Sequence, residues 1–464
     1  MKNLEFKNKK VAVLGMGMEG LALVDFLFDQ DCIISVLDKL PAEEINNRLT
    51  DEERKSFNRI IEEDKIVTIF GDDYLNNLNE FDIIFRSPGI SYNNPKIIEA
   101  KNKGVEISSQ IKLFFDLCPC KIIGVTGTKG KGTTASLIFE ILKKNSNSVY
   151  LAGNIGHSAI SLIPDLKPND IVILELSSFQ LMDMEKSPQI AVVTNLLVDH
   201  LDYHKDEEEY RKAKENIAKY QDENNFAVLN KKSSFDQSMI SKIKSSIKYF
   251  GSQEEVDVIT TNNSVILDPL NRNIQICDKD SIKLFGHHNL ENIAAATLVA
   301  DILNVDIEII KESVKKFKGL PHRLEFVTEI DGVKFINDSF ATNPEPTMAA
   351  INSFPEDKIL ILGGSSKGAD FSGLAQKIVS ANIKAVVLIG TEADKIEQAL
   401  STATYLGQIK KGLSNINEIV KIAKELASGG DVVILSPACA SFGLFKNYKD
   451  RGDKFKTAVL NLKS

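Results

Sequence analysis

No stretch of this sequence is long and apolar enough to cross a bilayer, and even the run Val11 to Met18 is interrupted by Gly15 and Gly17. No membrane partner is expected, and the chain reads as a soluble cytoplasmic protein. Positive charge is not in excess either, since 56 Lys and Arg stand against 64 Asp and Glu for a net charge of -8. A general nucleic-acid binder or a basic membrane-surface protein needs a cationic face, so no nucleic-acid partner is expected. Cysteine is scarce. Cys32, Cys118, Cys120, Cys277 and Cys439 are odd in number and scattered, as suits free thiols in a reducing compartment. Only Cys118-Pro119-Cys120 is a close pair, and with no second Cys/His pair at ligand spacing it reads as incidental rather than as a metal site. The chain does have length: 464 residues exceed one compact core, so two or three domains are expected.

The most informative stretch is Lys121 to Thr134, KIIGVTGTKGKGTT. An apolar run of strand length, Ile122 to Val125, leads into a loop containing Gly127, Gly130 and Gly132, with Lys131 among them and a helical segment predicted over Ala135 to Lys144. Glycines let backbone fold around an anion, the first free N–H groups of a helix point into the same space, and lysine adds a point charge. A polyphosphate is the natural occupant, held by Gly127, Thr128, Lys129, Gly130, Lys131, Gly132 and Thr133. The broad nucleotide-loop pattern fails because Val125 stands where its first glycine belongs, which leaves the shorter form Gly-Thr-x-Gly-Lys-x-Thr. On the loop alone, an ordinary glycine-rich turn with a surface lysine stays open.

Upstream, the strand Lys9 to Leu14 runs into Gly15-Met16-Gly17-Met18-Glu19-Gly20, and a second strand ends at Asp38. This is the dinucleotide fingerprint with an acid placed for a ribose hydroxyl, so a nicotinamide dehydrogenase must be weighed. Alternating elements continue through Arg86-Ser87-Pro88-Gly89 to about residue 110. Downstream, the strand Ile171 to Leu174 delivers Glu175 and the strand Ile190 to Asn195 delivers Asp199, His200 and Asp202, at the strand ends where open α/β sheets carry their chemistry. Acids and a histidine there suit Mg²⁺, which takes few protein ligands and shares phosphate oxygens. The acidic run Asp206 to Glu209 reads as a solvated helix start, and residues 233–283 read as hairpins on a poorly packed edge. Asn289 and Asn292 lie three apart on one helical face, either to read a purine edge or, for Asn289, to cap the helix. A hairpin from Glu325 to Ile336 turning at Asp331-Gly332 precedes a third alternating α/β region.

The segments SPG, GTKGKGTT, AGNIG, ELSSFQL, NLLVDHLD, YRKAK, HN-x-x-N, LPHR, NDS-x-ATNP, GG-x-x-KGADF and LSPACASF, in this order, resemble the Mur ligases, relatives of folylpolyglutamate synthase. GG-x-x-KGADF and SPACASF point within the family to the members that add D-glutamate. The resemblance implies an α/β fold of three domains: a Rossmann-like N-terminal domain for the UDP substrate (1–112), a central P-loop ATPase-like domain for ATP (113–319) and a C-terminal Rossmann-like domain for the amino acid (320–464). It implies an ATP-dependent, amide-forming ligase that activates UDP-N-acetylmuramoyl-L-alanine as an acyl phosphate and joins it to D-glutamate. Lys131 would bind the β- and γ-phosphates; Glu175 and His200 would hold one Mg²⁺ and a carbamylated Lys214 a second. Asn154 and His200 would lie near the reacting carboxylate. Asn289, Asn292, Arg323 and Asp338 would meet the nucleotide. Gly17, Met18, Asp38, Ser87, Pro88 and Gly89 would cradle the UDP part, and Thr342, Lys367, Ser441, Phe442 and Phe445 would receive D-glutamate. A monomer is expected, with domain closure assembling the site.

Three positions depart from the family pattern. Gly132 replaces the Ser or Thr whose hydroxyl reaches Mg²⁺, and Thr133 lies about 100° further round the helix start. Lys129 replaces Asn in the loop, and Phe340 replaces the lysine of NDSKATN. Lys129 is expected to offset part of the charge lost at Phe340. These departures keep other readings open: a ligase of the same type for a different amino acid, a folylpolyglutamate-synthase-like enzyme, or a non-catalytic nucleotide binder.

Overall fold

The computed structural model describes residues 6–146, 148–197, 203–232, 235–268, 273–366 and 368–462. Their strands form three sheets. The chain makes two compact units, Met1–Ile276 with Glu291–Ser313 and Cys277–Leu290 with Val314–Ser464.

The first unit holds two sheets. One is wholly parallel, in the order Val67–Phe70, Ile33–Asp38, Lys10–Leu14, Ile83–Arg86, Glu106–Ser108. Its central strand is an unbroken apolar run because both faces are covered: Val11 and Val13 face a core with Leu27 and Phe57, while Ala12 and Leu14 face another with Ile84 and Ile97. The other sheet has Lys121–Thr126 flanked by Ile190–Val193 and Ile171–Glu175, with Val149–Gly153 beyond the latter and Phe226–Asn230 beyond the former, all parallel. Parallel pairing sends the C-terminal ends of these strands to one edge, and there the glycine loop and Glu175 emerge.

The helix after the loop spans Lys131–Asn145 and so begins before the expected Ala135. Gly130, in the left-handed region at φ 86°, caps it, which puts Lys131, Gly132 and Thr133 in the first helical turn. Of the region expected to be hairpins, Val258–Thr260 and Ser264–Leu267 do pair antiparallel, but Ser246–Gly251 joins Phe226–Asn230 in parallel and extends the main sheet. In the helix His288–Ile302, Ile293, Ala296, Leu298 and Val299 are all buried, as an apolar surface all round requires.

The second unit is a six-stranded sheet in the order Glu325–Ile330, Val333–Asn337, Val432–Leu435, Lys358–Gly363, Ile383–Ile389, Gln408–Lys410. Its first pair is the expected antiparallel hairpin, and both turn residues have positive φ, Asp331 at 51° and Gly332 at 73°, the geometry that matches strand twist. The remaining neighbours are parallel. The expected α/β class is thus observed, in three sheets. Among the described residues no helix is long and apolar enough to cross a membrane.

Candidate active site

The glycine loop is fixed from behind by the strand Ile190–Val193 and the residues that follow it. Thr194 Oγ1 donates to the Lys129 carbonyl at 2.6 Å and Asn195 Nδ2 to the same oxygen at 3.0 Å, while Asn195 Oδ1 accepts the Lys129 N–H at 2.9 Å. Thr128 Oγ1 is taken up by the Leu197 backbone and by the Tyr210 hydroxyl at 2.8 Å, so it serves the loop's own shape. A methyl group at Gly127 would lie 2.0 Å from Thr194 Oγ1, and one at Gly130 2.2 Å from Asn292 Oδ1. These glycines are demanded by close approach. Lys129 itself is exposed.

Two lysines converge on this backbone. Lys131 Nζ donates to the carbonyls of Gly127 at 2.9 Å and Thr128 at 3.1 Å. Lys214, on the helix Glu207–Lys219 that Asp206 caps, is 1% exposed and donates to the same Gly127 carbonyl at 2.9 Å and to Thr126 Oγ1 at 3.2 Å. On the neighbouring strand, Glu175 pairs in register with Val125 and is buried. Asn154 donates its backbone N–H to the Glu175 carbonyl at 3.0 Å and its amide to Oε1 at 3.3 Å. Glu175 Oε2 is buried without a hydrogen-bond partner among the described residues. A buried carboxylate oxygen with an unused lone pair fits a hard divalent cation. No group of three or more His, Cys, Asp or Glu able to hold a metal occurs among the described residues. His200, expected to share that role, lies outside the described residues.

The N-terminal fingerprint separates its glycines by task. A Cβ on Gly20 would sit 1.9 Å from the Gly15 carbonyl and one on Gly15 2.7 Å from Ser87 Oγ, whereas Gly17, which caps the helix Met18–Phe28, has nothing within 4 Å. Gly17 and the half-exposed Met18 therefore offer open backbone at a helix N-terminus. Asp38 accepts from the N–H groups of Met16 at 2.8 Å and Leu40 at 2.9 Å, so it shapes the same loop. In the turn Ser87-Pro88-Gly89, Ser87 Oγ donates to the Gly15 carbonyl at 3.3 Å, and Gly89 is open like Gly17.

Sequence reasoning missed the residue that holds this turn. Arg86 is 2% exposed, and its guanidinium donates to the Ile90 carbonyl at 2.6 Å, the Tyr203 hydroxyl at 3.1 Å, the Phe179 carbonyl at 3.3 Å and Asp183 at 3.4 Å. The Ser-Pro-Gly turn is thereby tied to the helix Ser178–Leu181, just beyond Glu175. Beside it, Glu19 accepts from Gln180 Nε2 at 2.5 Å. Burial pushes its carboxyl up to about 7, against the pull of Gln180 and Arg86.

In the second unit, Asp338 follows the strand Val333–Asn337 and accepts from Ser436 Oγ at 2.7 Å and the Leu324 N–H at 3.1 Å. Burial raises it to about 7. The Arg323 guanidinium stacks 4.6 Å from the centre of the Phe340 ring, which meets Tyr448 edge-on. Asn289 donates to the Phe285 carbonyl at 2.6 Å. The two glycine- and serine-rich loops lie side by side: Gly363 N–H donates to Pro437 O, Ser365 N–H to Ala440 O, and a Cβ on Gly364 would be 2.1 Å from Ala440 O. Arg451, fully buried, fans across Ser339, Cys439 and Ala440 and binds these loops together. Thr342 is half-buried, Ser441 buried and Phe442 60% exposed. Phe445 is buried. Its ring lies in the core with Phe335 and Phe455, with the Lys454 ammonium 5.7 Å from its centre. Lys367 lies outside the described residues.

Family models match three consecutive stretches: a Mur ligase MurD-like N-terminal domain at residues 9–109, a Mur ligase middle domain at 125–300 and a Mur ligase glutamate ligase domain at 322–439. The UDP-N-acetylmuramoylalanine--D-glutamate ligase of Acetivibrio thermocellus is 41% identical over 99% of this chain and 98% of its own length. The chain belongs to the Mur ligase family. A second such relative, from Clostridium tetani, is 39% identical to this Mur ligase over 99% of both chains. Among solved structures, the UDP-N-acetylmuramate-alanine ligase of Thermotoga maritima superposes with a TM-score of 0.61 at 18% identity, covering 98% of this Mur ligase and all of that chain, a likeness of fold.

Two outcomes follow for this Mur ligase. Gly20→Ala should lower unfolding free energy by about 3 kcal/mol, and Gly17→Ala should stay within about 0.5 kcal/mol of the parent, both read by urea denaturation. Glu19 binds its proton more tightly folded than unfolded, so its contribution to stability is present at low pH and lost as pH rises towards about 7. Glu19→Gln should flatten the fall in melting temperature between pH 5 and 7, at roughly the unfolded and folded limits of this group.

Proposed function

We propose that this Mur ligase joins D-glutamate to UDP-N-acetylmuramoyl-L-alanine, with ATP as phosphoryl donor, in peptidoglycan precursor synthesis. The observation that carries the reading is the convergence of Lys131, Lys214 and Glu175 at one edge of the central sheet. The names borne by the full-length relatives support the choice of substrates. Residues 1–112 would bind the UDP part, 113–319 ATP and 320–464 the amino acid, and the protein would act as a cytoplasmic monomer.

In this reading a carboxylate oxygen of the UDP substrate attacks the γ-phosphorus of ATP, the bond to the β,γ-bridging oxygen breaks, and ADP leaves an acyl phosphate. The amine of D-glutamate then attacks the carbonyl carbon, and the tetrahedral species loses phosphate and a proton to give the amide. Negative charge grows on oxygen in both halves, so prearranged cations are the main catalytic requirement. Lys131 exchanges its loop carbonyls for β- and γ-phosphate oxygens, with the backbone of Gly127 to Thr133 around them. Glu175 and His200 would hold Mg²⁺, which neutralises phosphate charge when bound. Asn154 fixes Glu175 and meets the reacting carboxylate. Asn292, whose Oδ1 accepts from Thr134 at 3.3 Å, borders the nucleotide with Asn289, Arg323 and Asp338. Gly17, Met18, Asp38 and Ser87 to Gly89 cradle the diphosphate and uridine. Thr342, Lys367, Ser441 and Phe442 receive D-glutamate, with Phe445 behind them.

Lys214 is proposed to carry a carbamate that binds a second Mg²⁺. Its place supports this, because Nζ is buried against Thr126 and Gly127 at the start of the glycine loop. With ¹³C-bicarbonate, a carbamate resonance is expected in the parent and absent from Lys214→Arg; a parent without that resonance refutes the modification. The reaction itself is tested by offering UDP-N-acetylmuramoyl-L-alanine, ATP and Mg²⁺ with D-glutamate, L-glutamate, L-alanine or a folate, and weighing the product. D-Glutamate should give the amide and ADP, and Lys131→Ala should lose ligation at least a thousandfold while still binding the UDP substrate, by the scale of such electrostatic groups. Product with another amino acid alone would overturn the assignment.

A further inference from the structure

The Cys118-Pro119-Cys120 pair, which the ligase chemistry does not use, is brought together by the fold. Cys118 caps the helix Gln110–Leu117 with its N–H on the Phe114 carbonyl, and its ψ of 119° is the extended value that a following proline favours. That bend returns the chain so that the two sulfurs lie 3.5 Å apart. They line an open cleft of about 510 Å³ with Lys121, Lys186 and Tyr220. Cys120 directly precedes the strand Lys121–Thr126, so the pair sits at the opposite end of that strand from the glycine loop, about 23 Å from Gly127 by strand rise.

We propose that Cys118 and Cys120 are a dithiol that a hydroperoxide closes to a disulfide, a reversible modification site apart from the ligase centre. The Cys118 thiolate attacks the terminal peroxide oxygen; an S–O bond forms, the O–O bond breaks, and the alkoxide takes up the proton that Cys118 released. Cys120 then attacks the sulfenic sulfur; the S–S bond forms, the S–O bond breaks, and hydroxide leaves with the Cys120 proton as water. Two thiols lose two electrons, and the peroxide is reduced to an alcohol and water. Closure needs the sulfurs to move from 3.5 Å to about 2 Å, within the reach of a side-chain rotation.

The asymmetry of the pair sets the order of attack. Cys118 is partly exposed, and the Cys120 thiol donating to it holds its pKa below the ordinary thiol value despite burial. The same contact, with burial and Asp170, pushes the buried Cys120 up. Elsewhere burial raises Cys32 and takes Cys439 up to about 12, and Cys277 is buried, so the thiolate is concentrated at Cys118. Among the described residues no further His, Cys, Asp or Glu completes a metal site with these sulfurs.

The test uses the reduced full-length protein, freed of reductant and given stoichiometric hydrogen peroxide, read by intact mass and peptide mapping. A loss of two hydrogens mapped to a Cys118–Cys120 bond and reversed by dithiothreitol is expected. Cys120→Ser should stop at a sulfenic acid on Cys118 that dimedone traps, and Cys118→Ser should slow peroxide consumption about tenfold or more. Two intact thiols, sulfinic acid at Cys118 without an S–S bond, or disulfides between chains would each overturn the proposal, and the parent protein alone decides this if a variant fails to fold. No nucleotide or amino acid enters the readout, so its outcome is independent of the ligase reading.

Discussion

Backbone carbonyls that leave a parallel strand at its C-terminal end have no ladder N–H to donate to them, and each of the three sheets meets that need with a positively charged side chain. In the first sheet Arg86 gathers the carbonyls of Ser87 and Ile90. In the second, Lys131 gathers the carbonyls of Gly127 and Thr128. In the third, Arg451 spans Ser339, Cys439 and Ala440. Charged donors to carbonyls make stronger hydrogen bonds than neutral ones, and a buried oxygen left without a donor costs about 1–3 kcal/mol. The loops that carry the proposed chemistry are therefore held in shape by side chains rather than by secondary structure.

The lysines differ from the arginines in what they can do next. Arg86 and Arg451 are fully enclosed, and a guanidinium with several fixed acceptors has no reason to exchange them. Lys131 stands in the first turn of a helix, with two loop carbonyls as its acceptors. An ammonium on a flexible stem can trade them for phosphate oxygens without disturbing the strand beneath. The same fold thus uses rigid cations for shape and a movable one for ligand.

Much of this was legible in the sequence. Apolar runs such as VAVL, IVILE and VVIL announced strands buried on both faces, and glycines at fixed intervals announced loops that backbone or ligand must approach closely. Gly17 and Gly20 are spelled alike, yet one faces open space and the other a carbonyl, and only the packed structure separates them. Arg86 and Arg451 passed unnoticed because a buried arginine reads like a surface one until its partners, Asp183 and Tyr203 or Ser339 and Cys439, arrive from about a hundred residues away or from the next loop. Phe445 is named by the family resemblance alone, and its place in the core depends on Phe335 and Phe455, which no local pattern reveals. The helix start at Lys131 was misjudged because Gly132 and two threonines are poor helix formers, a preference overridden by the cap at Gly130 and by burial.

Gln180 serves three groups at once. Its Oε1 accepts from the N–H and hydroxyl of Ser177, closing the cap of the short helix after Glu175, and its Nε2 reaches across to Glu19 on the N-terminal sheet's first helix. A glutamate in its place would keep the cap but set two acids face to face, and a shorter side chain would lose both duties. Positions 19 and 180 are therefore free to diverge only in step, so that among descendants of this protein the two should be inherited as a matched set.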